Sequence, residues 1–262
     1  FTSASLTAAT SATISLATGS ASILSINAGN NQSAAVGTAV TTPPSVLVTD
    51  AAANPVSGVN ITFAVTSGGG TVDPTTAITT DANGLAAVSS WTLGSAAGAN
   101  TLSATSAGLS GSPITFTATA TAGAATQLTI LTQPSAAAQS GAALAQQPVV
   151  EVRDANGNPV LAAGTNITVA IATGGGSLAG TTTVATDASG RATFTDLALS
   201  GTIGDRTLSF SSGALTAATS GPISLSAGAA ETLALNAGNN QSAAVGTAVT
   251  TPPERARNRR RS

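Results

Sequence analysis

The sequence predicts an all-β protein: tandem antiparallel β-sandwiches built from modules of about 105 residues. Three observations carry this reading. Apolar and polar residues alternate with period two in Val59–Thr66 and again in Thr165–Ala172, the mark of a half-buried strand. Turn residues recur every 8–12 positions, and no segment carries a helical period. Finally, the eighteen residues Asn27–Pro44 return unchanged as Asn236–Pro253, 209 positions later.

The long repeat extends upstream without a gap, with Phe1 matching Phe210 and Ile14-Ser15-Leu16 matching Ile223-Ser224-Leu225. Inside it lies a more diverged repeat of about 105 residues. Asp50 with Asn54-Pro55 answers Asp154 with Asn158-Pro159, and Gly68–Gly70 answers Gly174–Gly176. Asp81 with Gly84 likewise answers Asp187 with Gly190. Repeated units of this kind act through length, spacing and surface. The expected organisation is the last strands of one module (1–19), two whole modules (20–123 and 124–228), and the opening of a further one (229–253). About 105 residues suffice for an independent core.

Alternation also picks out the core. In Val150-Glu151-Val152-Arg153 the charges are expected to face water and the valines the interior, and Val46 and Val48 follow by correspondence. Ile61, Phe63 and Val65 belong to one alternating strand, and Ile167, Val169 and Ile171 to its counterpart. Leu85–Leu93, Thr101–Thr105 and Ile114–Thr121 supply later strands. With five Phe and one Trp in the chain, Phe63, Trp91 and Phe116 anchor the first core, and Phe194 and Phe210 the second.

Residues 254–262 break the pattern. After Pro253 the repeat calls for Ser-Val-Leu-Val-Thr-Asp-Ala-Ala-Ala-Asn, as at Ser45–Asn54, but the chain reads ERARNRRRS. Codons for that tail and a stop can be chosen so that a one-base shift reads the expected nine residues and opens an Asn codon. The tail is therefore read as an out-of-frame artefact without an evolved role, rather than a basic arm.

Composition narrows the function. Without the tail, three basic residues face nine acidic ones, a net charge of −6, and the chain has no lysine. Such a surface offers no counterion release to nucleic acid. No Cys or His is present, which removes thiolate and imidazole metal sites, disulfides and histidine acid–base chemistry. A serine nucleophile would lack its base. No apolar run approaches the roughly 18 residues of a membrane-spanning helix.

Asp50 and Asp154 close strands before turns. A carboxylate there accepts backbone N–H groups in an Asx-turn, with Pro55 or Pro159 fixing the bend. The alternative is a calcium ligand at a module junction, weakened because no second carboxylate lies nearby in sequence. Asp81 and Asp187 read as hairpin turns. The glycine triplets lack the helix and lysine of a phosphate loop and are read as turns needing positive φ. Four glycosylation-type sequons begin at Asn31, Asn60, Asn166 and Asn240, and are expected to be bare.

A strand ending in Asp, a turn with Asn-Pro-Val, an alternating strand, three glycines, then Thr-Asp-x-x-Gly resembles the group 1 bacterial immunoglobulin-like domain of invasin and intimin. Here it runs from Asp154 to Gly190, and more loosely from Asp50 to Gly84, where Ala53 stands for the usual glycine. The resemblance implies tandem immunoglobulin-like antiparallel β-sandwiches forming the stalk of an extracellular adhesin, anchored through an outer-membrane β-barrel. Partners would be neighbouring modules of the same chain and, through a distal domain outside these residues, a host-cell surface protein or glycan. No cofactor, nucleic acid or membrane contact is expected of this segment. Rival readings are a module whose loops (Asn30, Asn31, Gln32) contact the ligand directly, and an accessory module of a secreted carbohydrate-active enzyme. A fibre or ice-type array on threonine rows fits poorly, because threonine spacing along the chain is irregular.

Overall fold

A computed structural model describes residues 12–15, 17–251 and 254–259, and its regular elements are all strands. The chain divides into two compact units at Thr121/Ala122.

In the first unit, β1 (Ile23–Ala28), β2 (Gln32–Ala35), β3 (Ser45–Thr49), β4 (Asn60–Ser67) and β5 (Gly70–Asp73) are followed by five more. These are β6 (Ile78–Thr79), β7 (Leu85–Ala87), β8 (Ser90–Leu93), β9 (Gly98–Thr105) and β10 (Ile114–Thr121). One sheet has the order β1-β3-β7, the other β2-β10-β9-β4-β6, and β5 pairs separately with β8. Each sheet turns one face inward. The period-two burial of Ile114–Thr121 is complete, with every second residue buried. Val46, Val48, Ile61, Phe63, Trp91 and Phe116 lie in one continuous core, and Val65 is half-buried at its margin. The rings of Phe63 and Phe116 sit 6.4 Å apart, within the range of favourable aromatic pairs.

Leu85–Leu93 departs from the expected single strand. It breaks at Val88-Ser89, so that β7 pairs with β3 while β8 pairs with β5. The chain thereby changes sheets, and alternation alone does not record such a crossing.

The second unit repeats this plan. Its strands are β11 (Ala125–Thr132), β12 (Ala137–Gln139), β13 (Val149–Asp154), β14 (Asn166–Thr173), β15 (Ser177–Ala179) and β16 (Thr183–Ala185). They continue with β17 (Arg191–Thr193), β18 (Ala198–Ser200), β19 (Gly204–Ser211), β20 (Ala218–Thr219) and β21 (Ile223–Ser226). The orders are β11-β13-β17 and β12-β21-β19-β14-β16, with β15 paired to β18. Val150, Val152, Ile167, Val169, Phe194 and Phe210 are buried together, and Ile171 packs half-buried against them.

The outward faces of the larger sheets are clad in small hydroxyl side chains. Thr115, Thr117, Thr119 and Thr121 of β10 are all exposed. Many such hydroxyls turn back on the sheet: Ser33 bonds the Thr119 carbonyl, Thr105 that of Thr62, and the Thr66 and Thr101 hydroxyls meet at 2.6 Å. Thr173 pairs with Thr207, and Thr168 with Thr183, in the second unit.

Two last strands, β22 (Ala230–Ala237) and β23 (Glu254–Arg259), pair antiparallel. Their register copies β1–β3 at the 209-residue offset: Leu233 stands opposite Arg257 as Leu24 does opposite Val48, and Leu235 opposite Arg255 as Ile26 opposite Val46. The arginine-rich segment thus takes the backbone place of a strand that supplies buried valines elsewhere. A ladder of main-chain hydrogen bonds accepts any residue but proline as donor.

Candidate functional site: an aspartate latch in each unit

Each unit ties its incoming chain to a carboxylate. In the first unit Asp50 follows β3 at the entrance to a turn, and its Oδ1 accepts the N–H groups of Ala52 and Asn54 at 2.9 Å each. Oδ2 accepts the Asn54 side-chain amide at 3.0 Å and, from 31 residues upstream, the Gly19 N–H at 2.8 Å. The turn closes with Asp50 N–H donating to the Asn54 carbonyl, and Pro55 bridges to Thr49. One side chain thereby fixes both the turn and the incoming chain.

Asp154 repeats the arrangement. Its carboxylate accepts Asn156 N–H at 2.9 Å, Asn158 N–H at 2.8 Å, the Asn158 amide at 2.9 Å and Gly123 N–H at 2.8 Å. The αL position of the turn is Gly157 here, at φ 83°, and Ala53 in the first unit, at φ 67°. An L-residue is strained in that region.

Hydrogen bonds to the charged form favour it. The Asn54 amide, then the Asn54 and Gly19 N–H groups, lower the Asp50 carboxyl to about 2 despite burial. At Asp154 burial pushes upward, but the Asn158 amide and the Gly123, Asn158 and Asn156 N–H groups outweigh it and hold the carboxyl below its ordinary value. What surrounds each carboxylate is a set of donors, the complement of an anion. A cation would have to displace them. Among the described residues no group of three or more acidic, His or Cys side chains gathers as a metal site.

The other sequence candidates are turn residues. Asp81 accepts Asn83 and Leu85 N–H groups, and Asp187 accepts those of Ser189 and Arg191. Gly84 and Gly190 have positive φ, and a Cβ on either would strike a carbonyl oxygen, Val48 O at 2.5 Å and Val160 O at 2.1 Å. The triplet glycines face backbone as well: a Cβ on Gly70 would meet Thr92 O, and one on Gly176 would meet Ser200 O. Asn30, Asn31 and Gln32 spend polar atoms on neighbouring segments at the surface of the unit. Asn30 accepts the Thr117 N–H, Asn31 the Thr117 hydroxyl, and Gln32 binds Thr42 through both ends of its amide. An open hollow of about 490 Å³ lies beside the Asp50 latch, lined by residues 19–22 and 50–52. It holds no base beyond a carboxylate already engaged.

Three polar clusters escaped the sequence reading. Glu151 does not face water: it is buried beneath Arg153 and Arg191, at 2.8 and 2.9 Å, because β17 brings Arg191 directly opposite. The matching residues of the first unit are Leu47 and Leu85. Asp196 binds the Thr181 N–H and hydroxyl, and these bonds lower its pKa. Arg206 is buried without a carboxylate; its terminal nitrogens reach the Asp205 and Thr202 carbonyls, and its Nε has no acceptor.

No protein-family model matches the sequence, and no characterised protein matches it in sequence. Solved structures do. FdeC, an Escherichia coli adhesin, is 18% identical over 84% of this chain and 70% of its own, with a TM-score of 0.51. The D00–D0 domains of intimin are 14% identical over 78% of this chain and 100% of theirs (TM-score 0.42). The Yersinia pseudotuberculosis adhesin InvE is 22% identical over 77% of this chain and 58% of its own (TM-score 0.35). At such identities the likeness is one of fold. The chain is all-β, built as tandem immunoglobulin-like β-sandwiches.

Proposed function

We propose that these units are passive spacers in the stalk of a bacterial cell-surface adhesin, holding a distal binding domain away from the cell. The observation that supports this best is that the candidate polar groups are engaged in bonds within the fold. The turn aspartates and Asn30, Asn31 and Gln32 all serve the fold, while the sandwich is of the kind found in FdeC. In this reading the segment is extracellular and non-enzymatic, takes no cofactor, and meets only its neighbouring modules. Any host protein or glycan is bound elsewhere in the protein. Residues 254–262 we read as the out-of-frame continuation of a further module, 229–253 being its opening. Sequencing the DNA downstream recovers Pro-Val-Ser-Gly-like codons in the shifted frame if that is right.

The spacer reading is tested by replacing residues 20–228 in the full-length protein with two unrelated immunoglobulin-like sandwiches of equal length. Adhesion survives the exchange of a spacer. Adhesion lost with surface display intact would assign ligand contact to these units instead.

A further inference from the structure

In both units the first strand of the larger sheet, in chain order, pairs parallel with the last strand of that sheet. Gln32–Ala35 lies beside Ala118–Thr121, and Ala137–Gln139 beside Ser224–Ser226. The other ladders of these sheets are antiparallel. From this topology we infer a further function: each unit is a load-bearing element, closed by a shear clamp between the first and last strands of its larger sheet.

The argument is geometric. Once the preceding strand has come away from its partner (β1 from β3, or β11 from β13 in the second unit), tension applied at the two ends of a unit pulls β2 toward its N-terminus and β10 toward its C-terminus. In a parallel pair these forces run along the strands in opposite directions, so the hydrogen bonds of the pair are strained together. An antiparallel pair held at its common end is peeled one bond at a time. Among the described residues β2 and β12 are edge strands, with β10 and β21 as their ladder neighbours. The chain between the clamped strands cannot be paid out until that ladder slides. Forced unfolding is governed by the barrier to this step rather than by equilibrium stability.

Flanking backbone and side-chain hydrogen bonds reinforce the pair. In the first unit Val36 N–H reaches the Thr121 carbonyl at 2.8 Å, Ser33 the Thr119 carbonyl and Thr121 the Ala34 carbonyl. Asn30 extends the grip one residue upstream, accepting the Thr117 N–H at 2.9 Å. The second unit has Ser224 N–H on Ala136, Ser140 N–H on Ser226 and the Ser226 hydroxyl on Ala138, with a shorter three-residue ladder. It should be the weaker of the two. The inference rests on the spacer reading only for the source of the load. Failure of the module exchange leaves the clamp untouched, and failure of the clamp leaves a spacer that is not load-bearing.

The test is single-molecule force spectroscopy on the full chain tethered by its ends. Residues 32–121 and 137–226 each enclose 90 residues, so two steps of nearly equal length are expected, each releasing about 300 Å of chain. Cysteines introduced as Ala97→Cys and Ala122→Cys, unique in this chain, give a second geometry that peels β9 from β10. The first unit should resist several-fold less in that direction. Val36→Pro removes a clamp donor and should lower the first unit's force, with Asn30→Ala lowering it less. Leu24→Ala, in the core but outside the clamp, should lower the denaturant midpoint while leaving the force. Equal resistance in both geometries, or force following the denaturant midpoint across these variants, would overturn the clamp. The two-geometry comparison needs no proline variant and stands if Val36→Pro does not fold.

Discussion

Removing Arg153 and Arg191 together should strand a buried carboxylate, and restoring the first unit's residues should rescue it. Glu151 carries 1% of its side-chain exposure, whereas Arg153 and Arg191 carry 29% and 50%. The cost of separation therefore falls on the acid. Breaking a fully buried pair costs about 3–5 kcal/mol. The half-exposed arginines would admit water on leaving, which brings the expected loss for Arg153→Thr with Arg191→Leu to about 2–3 kcal/mol. For a unit of this size that lowers the melting temperature by about 10–20 °C. Adding Glu151→Leu reproduces the first unit, where Leu47 faces Leu85 and Thr49 ends the strand. Exchange of a buried ion pair for packed apolar groups is close to neutral, so the triple variant should return to within about 1 kcal/mol of the parent. Calorimetry of the intact chain reads this out. The single tryptophan, Trp91, lies in the first unit, and its fluorescence identifies that unit's transition as an internal reference. A triple variant as unstable as the double, or a double variant that melts with the parent, would refute the reasoning.

Acid should loosen the first unit through its latch. Asp50 titrates at about 2 when folded, below its ordinary 3.8, so the unfolded chain takes up the proton more readily. The stabilisation is complete above about pH 4 and drains as pH falls through about 2. Urea midpoints followed by Trp91 fluorescence should drop over that interval, and drop less in Asp50→Asn. Ala53→Gly should relieve the strain at φ 67° and, after the added freedom of the unfolded chain, stabilise the first unit by about 0.5–1 kcal/mol in the same assay. Arg206→Asn imports the residue that the first unit buries at the matching place, Asn100. Because the guanidinium has no carboxylate partner, the second unit's stability, read by calorimetry, should change by no more than about 1 kcal/mol.

What could be read from the sequence was local. The Asp-x-x-x-Asn spacing shared by both latch turns spans four residues, and the buried valines of β3 and β13 follow from alternation within a single strand. Contacts made across the fold left no such trace. Gly123 lies 31 residues from Asp154, Arg191 lies 40 from Glu151, and Gln147 lies 50 from the Leu197 groups it binds. Nothing in the run Val150–Arg153 says that a neighbouring strand will cover its glutamate. The split of Leu85–Leu93 between sheets was hidden for the same reason, since β7 and β8 are distinguished only by their partners.

The hydroxyl cladding of the large sheets has a consequence for how these faces hold water. Threonine and serine neither gain nor lose a proton between about pH 2 and 12, and they attract no counterions. With hydroxyls such as those of Ser33 and Thr105 anchored on carbonyls of the next strand, the hydration of these faces is set by geometry rather than by ionisation. It should stay much the same from dilute buffer to brine.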